Sequence, residues 1–195
     1  MEGILRIGKG VFVATVLVLL AGGRSSLAAT IGGARFPITY WAGTGSNHAA
    51  LVIDFGATGG GSYSFGYRFD GAATGYDMIQ AVAAAGDLDY QASSFPGFGT
   101  FIDNFSRGGE AGNADFYWQY FNGTASGGIV TWVSAWEGMS TRILADGSID
   151  GWYNGFDGHV PRIPEPATGL LVAAAALLVP AARRRSRRSR AEAGG

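Results

Sequence analysis

Residues 62–86 read SYSFGYRFDGAATGYDMIQAVAAAG, and this stretch decides the fold class because it joins a strand pattern to a helix pattern. Between Tyr63 and Phe69, an aromatic residue occupies every second position. Successive side chains of a strand point to opposite faces, so this alternation predicts a half-buried strand with its aromatic side chains on one face.

The second part of the stretch predicts a helix over residues 76–85. Thr74 is a suitable N-cap, Asp77 stands three residues later as the acidic partner of a capping box, and Gly86 is in the C-cap position. The helix would pack on a sheet through one apolar face formed by Met78, Ile79, Val82 and Ala85.

The rest of the middle segment is rich in short strand patterns. Each is aromatic or β-branched and is bounded by Gly, Asp or Asn, and they fall at residues 36–41, 49–55, 100–105, 116–122, 129–135 and 148–153. No repeat of fixed period is present. We therefore predict one α+β domain over residues 29–160, mostly β with one helix packed on a sheet.

The charges divide the chain into three segments. The formal net charge of −1 averages basic ends and an acidic middle, because residues 29–163 contain 12 carboxylates and 5 arginines, a net charge of −7. Such a body repels nucleic-acid phosphates and anionic lipid headgroups. We expect no nucleic-acid partner and favour cations or neutral glycans.

The N-terminal segment, residues 1–28, has the layout of a secretory signal peptide. Arg6 and Lys9 precede the apolar run at residues 11–20, which is short for a membrane span, and Ser26 and Ala28 form a small-x-small cleavage site. Cleavage is predicted after Ala28, with Ala29 as the second choice. The alternative is an uncleaved anchor helix.

The C-terminal segment, residues 161–195, has three parts. The first part is Pro164-Glu165-Pro166, whose two prolines favour an extended, non-helical backbone. The second is the apolar stretch at residues 167–182, which can form a short transmembrane helix. Six arginines follow and would stay in the cytoplasm as a stop-transfer signal: Arg183, Arg184, Arg185, Arg187, Arg188 and Arg190. This order predicts an inner-membrane anchor with the body on the extracytoplasmic side.

This tail, together with the signal peptide, resembles the PEP-CTERM sorting signal. The resemblance implies that an exosortase recognises the Pro164-Glu165-Pro166 motif, removes the hydrophobic tail and passes the protein to the envelope or releases it. It also implies a Gram-negative bacterium that makes exopolysaccharide. The alternative is a plain membrane anchor that no enzyme processes.

The body resembles a second group over about half of the chain. Its order of strand, helix, the strand containing residues 101–104, the aromatic strand 116–123 and the closing segment 146–152 is similar to the small β-grasp-like domain at the C-terminus of transcobalamins and in bacterial surface proteins. The resemblance implies a module that binds a ligand or decorates a surface. No cobalamin contact maps onto this sequence.

A candidate calcium loop covers residues 146–157. Oxygen-bearing side chains fall at positions one, three, five, nine and twelve of the loop, with glycine at six, as a calcium loop requires; they belong to Asp146, Ser148, Asp150, Asn154 and Asp157. The alternative is a tight turn leading into an aromatic strand, which Trp152 and Tyr153 favour. Calcium is the one cofactor that this sequence suggests.

Catalytic motifs are missing from the sequence. There is no cysteine, and no partner for a catalytic triad is placed near His48 or His159. Paired carboxylates such as Asp87 and Asp89 could serve a glycosidase only at a set separation. Four tryptophans are candidates for a sugar-stacking face, since aromatic planes bind glycan rings: Trp118, Trp132, Trp136 and Trp152.

These observations predict an exported, non-enzymatic component of the cell envelope or exopolysaccharide matrix. Its partners would be the secretion machinery, an exosortase, the membrane through the C-terminal helix, and exopolysaccharide. An extracellular module that binds glycan or calcium is the alternative. A secreted hydrolase is a third hypothesis, and it requires two carboxylates, or a histidine with a nucleophile, in one cleft.

Overall fold

The helix is formed as its local sequence predicts in the computed structural model, which describes residues 27–56 and 60–165. Helix α1 runs from Gly75 to Ala85, with Thr74 as its N-cap. The Thr74 hydroxyl accepts a hydrogen bond from the Asp77 backbone N–H (3.1 Å), and the Asp77 carboxylate accepts one from the Thr74 N–H (2.8 Å). This capping box satisfies two donors that the helix start would otherwise leave free.

The buried face of α1 differs from the predicted one at its last position. Met78, Ile79 and Val82 are buried, whereas Ala85 is exposed and Gly75 is buried in its place. At about 100° per residue, Gly75 lies near the centre of the buried face and Ala85 at its margin. The prediction for Ala85 was therefore wrong, because it followed the spacing from Met78 and Val82 alone.

Most strands form a seven-stranded mixed sheet. Its order is β1-β2-β4-β3-β10-β8-β9, in which β2–β4 and β3–β10 are parallel pairs and the other neighbours are antiparallel. The seven strands are β1 (Leu27–Ile31), β2 (Ala34–Gly43), β3 (Asn47–Asp54), β4 (Ser62–Phe69), β8 (Trp118–Ser126), β9 (Ile129–Ser134) and β10 (Ile149–Asn154). Over residues 27–56 and 60–165, one helix on a predominantly β structure confirms the predicted α+β class.

A smaller antiparallel sheet lies between α1 and β8 in the chain. It consists of β5 (Leu88–Phe95), β6 (Gly99–Arg107) and the two-residue strand β7 (Glu110–Ala111). β5 was not predicted, because its sequence, LDYQASSF, ends in small polar residues and shows no alternation of apolar and polar positions. In the structure, Leu88 is the one buried residue of this strand.

The large sheet has an apolar cluster on each face. The larger cluster includes Met78 and Ile79 of α1 together with Leu51, Phe65 and Trp152, and the smaller one contains Phe36, Ile38, Ala50, Val52 and Ile149. The central strand β3 contributes alternate residues to both clusters, so it is buried on both faces.

Strand β4 has the predicted bounds but is buried more completely than predicted. Its aromatic face packs in the larger cluster, and on the opposite face Ser64 and Gly66 are also buried. The Trp41 ring covers Gly66 so closely that an added Cβ would lie 2.4 Å from it, and the Ser64 hydroxyl donates to the Pro37 carbonyl (2.8 Å). Trp41 and Pro37 both belong to β2, which lies beside β4. The prediction that β4 is buried on one face alone was wrong because these residues cover part of its second face.

Both ends of the described region are attached to the sheet. Arg162 donates three hydrogen bonds to the buried Asp54 carboxylate, from its backbone N–H (2.8 Å), Nε (2.9 Å) and Nη2 (2.8 Å), and Pro161 is buried nearby. The body therefore continues past the predicted boundary at residue 160. β1 likewise begins at Leu27, two residues before the predicted body, and pairs with β2 from there.

Several predicted segments lie outside the described residues. They are the signal segment up to Ser26, the helix at residues 167–182, Pro166 and the six arginines of the tail. Within residues 27–56 and 60–165, no helix has the length and apolar character that crossing a bilayer requires.

Candidate functional site

A groove of about 730 Å³ lies where the small sheet meets the large one. Its lining comes from the β5–β6 turn and the start of β6, from the segment that enters β8, from the loop after β9, and from β10. We call the residues at its base the groove floor: Ile102, Trp118, Tyr120, Met139 and Trp152. We call the exposed aromatic residues around it the groove rim: Phe98, Phe101, Tyr117 and Trp136.

The groove floor is packed into the core. Trp118 meets Phe105 and Phe55 edge-on, with ring centroids 4.9 and 5.4 Å apart, and its indole Nε1 donates to the Asn104 side-chain oxygen (3.0 Å). Trp152 stacks on Tyr120 with centroids 4.6 Å apart. Rings held on several sides have little rotational freedom, so the floor is a rigid aromatic surface.

The groove rim is exposed to an unusual degree for large apolar side chains. Trp136 is 98% exposed, Phe98 82%, Tyr117 74% and Phe101 51%. Single exposed apolar residues are ordinary, but four aromatic side chains around one concavity are typical of a binding site. Two carboxylates, Asp103 and Glu137, also line the groove.

The side chains next to these two carboxylates differ. The Asp103 carboxylate accepts a hydrogen bond from the neutral Ser93 hydroxyl (2.6 Å). Glu137 lies 3.8 Å from Nη1 of Arg142, whose Nε contacts the Asp150 carboxylate at 3.3 Å. Arg142 thus stands between an acid at the groove and a buried acid behind it.

Asp150 is the buried acid, and it supports the floor from behind. Its carboxylate accepts hydrogen bonds from the Tyr120 hydroxyl (2.6 Å), from Arg142 and, at 3.4 Å, from Asn122. Burial raises the pKa of Asp150, and the hydrogen bond from Tyr120 and the charge of Arg142 oppose that rise. Burial and the nearby Asp150 charge also raise the pKa of Tyr120, which keeps its hydroxyl protonated as a donor.

The loop that holds Trp136 and Glu137 is fastened to the start of α1. The Tyr76 N–H donates to the Met139 carbonyl and the Gly75 N–H to the Arg142 carbonyl, both at 3.0 Å. Leu144 N–H donates to the Ala73 carbonyl (2.8 Å). The first two bonds use donors at the helix N-terminus, and all three fix the loop's position beside the groove.

The five predicted calcium ligands are not brought together. Asp150 and Asn154 both belong to the extended strand β10, and four residues of strand separate their Cα atoms by about 13 Å. Each side chain also has its own partner: Asp146 accepts from the His48 N–H, Ser148 from the Ala145 N–H, Asn154 from the Asn113 N–H, and Asp157 from the Tyr153 hydroxyl. Among the described residues, no three His, Cys, Asp or Glu side chains are grouped to hold a metal. Calcium binding thus stays a prediction that this arrangement does not support.

The four predicted tryptophans divide between two faces. Trp118, Trp136 and Trp152 meet at the groove, whereas Trp132 packs with the smaller cluster on the opposite face, over Gly151. Sequence reasoning missed Phe98, Phe101, Tyr117 and Tyr120. The available signal was Phe98 in Pro-Gly-Phe-Gly at residues 96–99, because a tight turn places its side chains in solvent.

The other predicted residues lie away from the groove. His48 is next to Asp146, and His159 contacts Asp157 (2.9 Å), where the hydrogen bond from His159 lowers the pKa of the Asp157 carboxyl. Asp87 is paired with Arg107 (3.0 Å). Of the sorting and cleavage residues, Pro164 is partly exposed, Glu165 is exposed, and Ala28 lies in β1 opposite Pro37.

The chain matches no protein-family model and no curated protein.

Proposed function

We propose that this chain is an exported PEP-CTERM protein whose body is a non-enzymatic, glycan-binding component of the cell envelope or exopolysaccharide matrix. The observation that carries this proposal is the aromatic groove, with a rigid floor and four exposed aromatic side chains at its rim. The sorting part rests on the two ends of the sequence.

The chemistry of the groove suits a sugar chain. The faces of sugar rings bear C–H groups that pack on aromatic planes, while their edges bear hydroxyls that need acceptors. The rim supplies such planes, and Asp103 and Glu137 supply acceptors beside them. A volume of about 730 Å³ lies within the range of about 300–1,000 Å³ that is usual for small-ligand sites, so a short stretch of polysaccharide is a suitable occupant.

The strand order supports the resemblance to β-grasp-like surface domains. In that arrangement a helix follows one hairpin and precedes a second, and the first and last strands of the unit lie side by side in parallel. Here the β3–β4 hairpin precedes α1, the β8–β9 hairpin follows it, and β10 pairs in parallel with β3. We therefore propose that β3, β4, α1 and β8–β10 form a β-grasp-like core with added strands.

The position of the sorting motif is compatible with processing of a folded body. Arg162 is held on Asp54, Ser62 donates a hydrogen bond to the Arg162 carbonyl, and Ile163 packs on the smaller cluster, so the attachment to the body reaches the residue before Pro164. Glu165 is exposed. An exosortase would therefore meet the motif directly beside the body, and the tail beyond it would hold the precursor in the inner membrane.

A secreted hydrolase is the second candidate, because two carboxylates line the groove. Asp103 comes from β6 and Glu137 from the loop after β9. Glycosidases need one such pair at a set separation, with one acid protonated. Release of shorter sugars from a bound oligosaccharide would establish this activity and overturn the non-enzymatic proposal.

The sorting proposal is tested by the intact mass of the protein recovered from its own host with and without the exosortase. We expect a mature form that begins near Ala29 and ends between Pro164 and Pro166, and that is lost without the enzyme. Retention of the arginine tail in both strains would show an unprocessed membrane anchor instead. Cleavage after Ala28 would leave Ala29–Ile31 paired with β2.

The glycan proposal is tested with the full chain purified in a mild detergent. Titration calorimetry with hexasaccharides should show binding to at least one, and Trp136→Ala should weaken it. Trp132→Ala is the matched control, because Trp132 lies on the other face of the sheet. Equal loss with both variants, or no binding by the parent protein, would contradict the proposal.

A further inference from the structure

We propose that the groove selects a glycan with free amino groups, that is, a chain of de-N-acetylated hexosamine. This inference rests on the proposed function, since it names the class of sugar that the same groove would bind. It follows from the charges around the groove.

The charged residues that line the groove are all acidic. Among the described residues, Asp103 and Glu137 contribute to the lining, and no arginine, lysine or histidine does. The surrounding body, residues 29–163, has a net charge of −7. Such a groove attracts a cationic chain and repels a uronic-acid polymer, whose carboxylates would be placed against these acids.

Neither carboxylate is fully neutralised by its neighbours. Within the described part of the chain, no cationic side chain is paired with Asp103, whose partner is the Ser93 hydroxyl. Glu137 shares Arg142 with Asp150, and the contact with Asp150 is the shorter, at 3.3 Å against 3.8 Å. The Glu137 side chain is 46% exposed, and its 3.8 Å contact with Arg142 is too long for a hydrogen bond, so its carboxylate is accessible to a ligand in the groove.

The groove rim favours the same ligand. An ammonium group near an aromatic face is attracted by the electrons of the ring, and cages of aromatic residues with acids are a known means of recognising substituted ammonium ions. Trp136 is 98% exposed and adjacent in sequence to Glu137, so a ring face and a carboxylate are available together. A neutral glucan would use the aromatic planes and the two acids as hydrogen-bond acceptors, but it would gain no attraction between opposite charges.

The test compares three hexasaccharides of equal length at mildly acidic pH, where amines are protonated: glucosamine, N-acetylglucosamine and glucose hexamers. We expect the glucosamine hexamer to bind the full chain at least tenfold more tightly than the other two. Because surface charges are screened by ions, this preference should shrink as salt is added.

Two isosteric variants assign the preference to the groove. Asp103→Asn and Glu137→Gln should each reduce the preference for the glucosamine hexamer severalfold. They should weaken binding of the glucose hexamer far less, because the amide oxygen still accepts a hydrogen bond. Asp89→Asn is the matched control, because it removes one exposed acid of β5 that does not line the groove. An equal effect of Asp89→Asn would show that the overall charge of the body, and not the groove, attracts the ligand.

The outcomes separate this inference from the proposed function. If the three hexamers bind equally and Trp136→Ala weakens all of them, the groove binds glycans but the amine preference is overturned. If none binds, the inference and the glycan-binding proposal both fail. A tighter complex with the N-acetylated hexamer would also overturn the inference, since acetylation removes the charge.

Discussion

The groove floor and the groove rim both contain large aromatic side chains, but the tryptophans of the floor are buried and the aromatic side chains of the rim are exposed. Trp118 and Trp152 of the floor are 8% and 5% exposed, whereas Tyr117 and Trp136 of the rim are 74% and 98% exposed. Tyr117 and Trp118 are neighbours in the chain, yet one is in solvent and the other in the core. Residue type therefore does not decide whether an aromatic side chain stabilises this fold or is available to a ligand.

The largest expected effect is that of Trp118→Ala in the floor. Removing a side chain that packs on Phe55 and Phe105 leaves a cavity and should lower the free energy of unfolding by about 3–5 kcal/mol. Urea denaturation followed by circular dichroism measures it. Tyr117→Ala is the control and should change stability by less than about 1 kcal/mol. Equal losses would abolish the distinction between floor and rim.

Tyr120→Phe sharpens the comparison within the floor itself. The variant keeps the ring that stacks on Trp152 but removes the hydroxyl that donates to Asp150 at 2.6 Å. A buried carboxylate that loses a donor should destabilise the fold by about 2 kcal/mol. Tyr117→Phe removes an exposed hydroxyl of the rim and should change stability by less than about 0.5 kcal/mol. If Tyr120→Phe lowers the free energy of unfolding no more than Tyr117→Phe does, the Tyr120 hydroxyl adds no stability and only the stacking of its ring on Trp152 matters.

Asp150→Asn tests the acid behind the floor through pH. Burial raises the pKa of Asp150 above its ordinary value of 3.8, so above pH 3.8 the folded state keeps a proton that the unfolded state has lost. The stability of the parent protein relative to Asp150→Asn should then fall as pH rises from 3.8 through the raised pKa, measured by urea denaturation at several pH values.

Asp70→Asn provides a control of opposite sign for that series. Hydrogen bonds from Ser46 lower the pKa of Asp70, so its contribution is present above the ordinary value of 3.8 and is lost as pH falls through the lowered pKa. If the stability of the parent protein relative to Asp150→Asn instead grows as pH rises, the attraction of Asp150 to Arg142 outweighs the effect of burial on the pKa of Asp150.

The smallest effect on stability is expected for Trp136→Ala at the rim. With 98% of the side chain exposed, the free energy of unfolding should change by less than about 0.5 kcal/mol. Affinity for the bound hexasaccharide should nevertheless fall about tenfold, which corresponds to about 1.4 kcal/mol. Loss of stability together with affinity would show that Trp136 is structural, and the rim would then be an extension of the floor.

The elements that depend on local signals were predicted well. The capping box of Thr74 and Asp77 set the start of α1, and the alternation at residues 62–69 matched β4 residue for residue. β5 was missed because its residues are mostly small and polar, and the start of β1 was assigned to the signal peptide. In both cases, pairing with a neighbouring strand decides the conformation, and the sequence of one strand does not contain that information.

The candidate site was predicted only in part. Three of the four proposed tryptophans line the groove, but Trp132 packs on the other face and the rim residues from the small sheet were not anticipated. Likewise, Asp150 was proposed as a calcium ligand, whereas in the fold it receives hydrogen bonds from Tyr120 and Arg142. Both partners lie outside residues 146–157, so the loop pattern could not identify them.

The sequence by itself determined the helix, most of the strands and the acidic charge of the body. It is also the basis on which we propose export and sorting signals at the two ends. These properties depend on neighbouring residues or on composition. Only the tertiary structure decided which aromatic side chains are exposed, which acids are buried and that a groove exists, because β6, β8, β10 and the loop at residues 135–139 meet only when the chain is folded. Burial is a relation between distant segments, and no single segment specifies it.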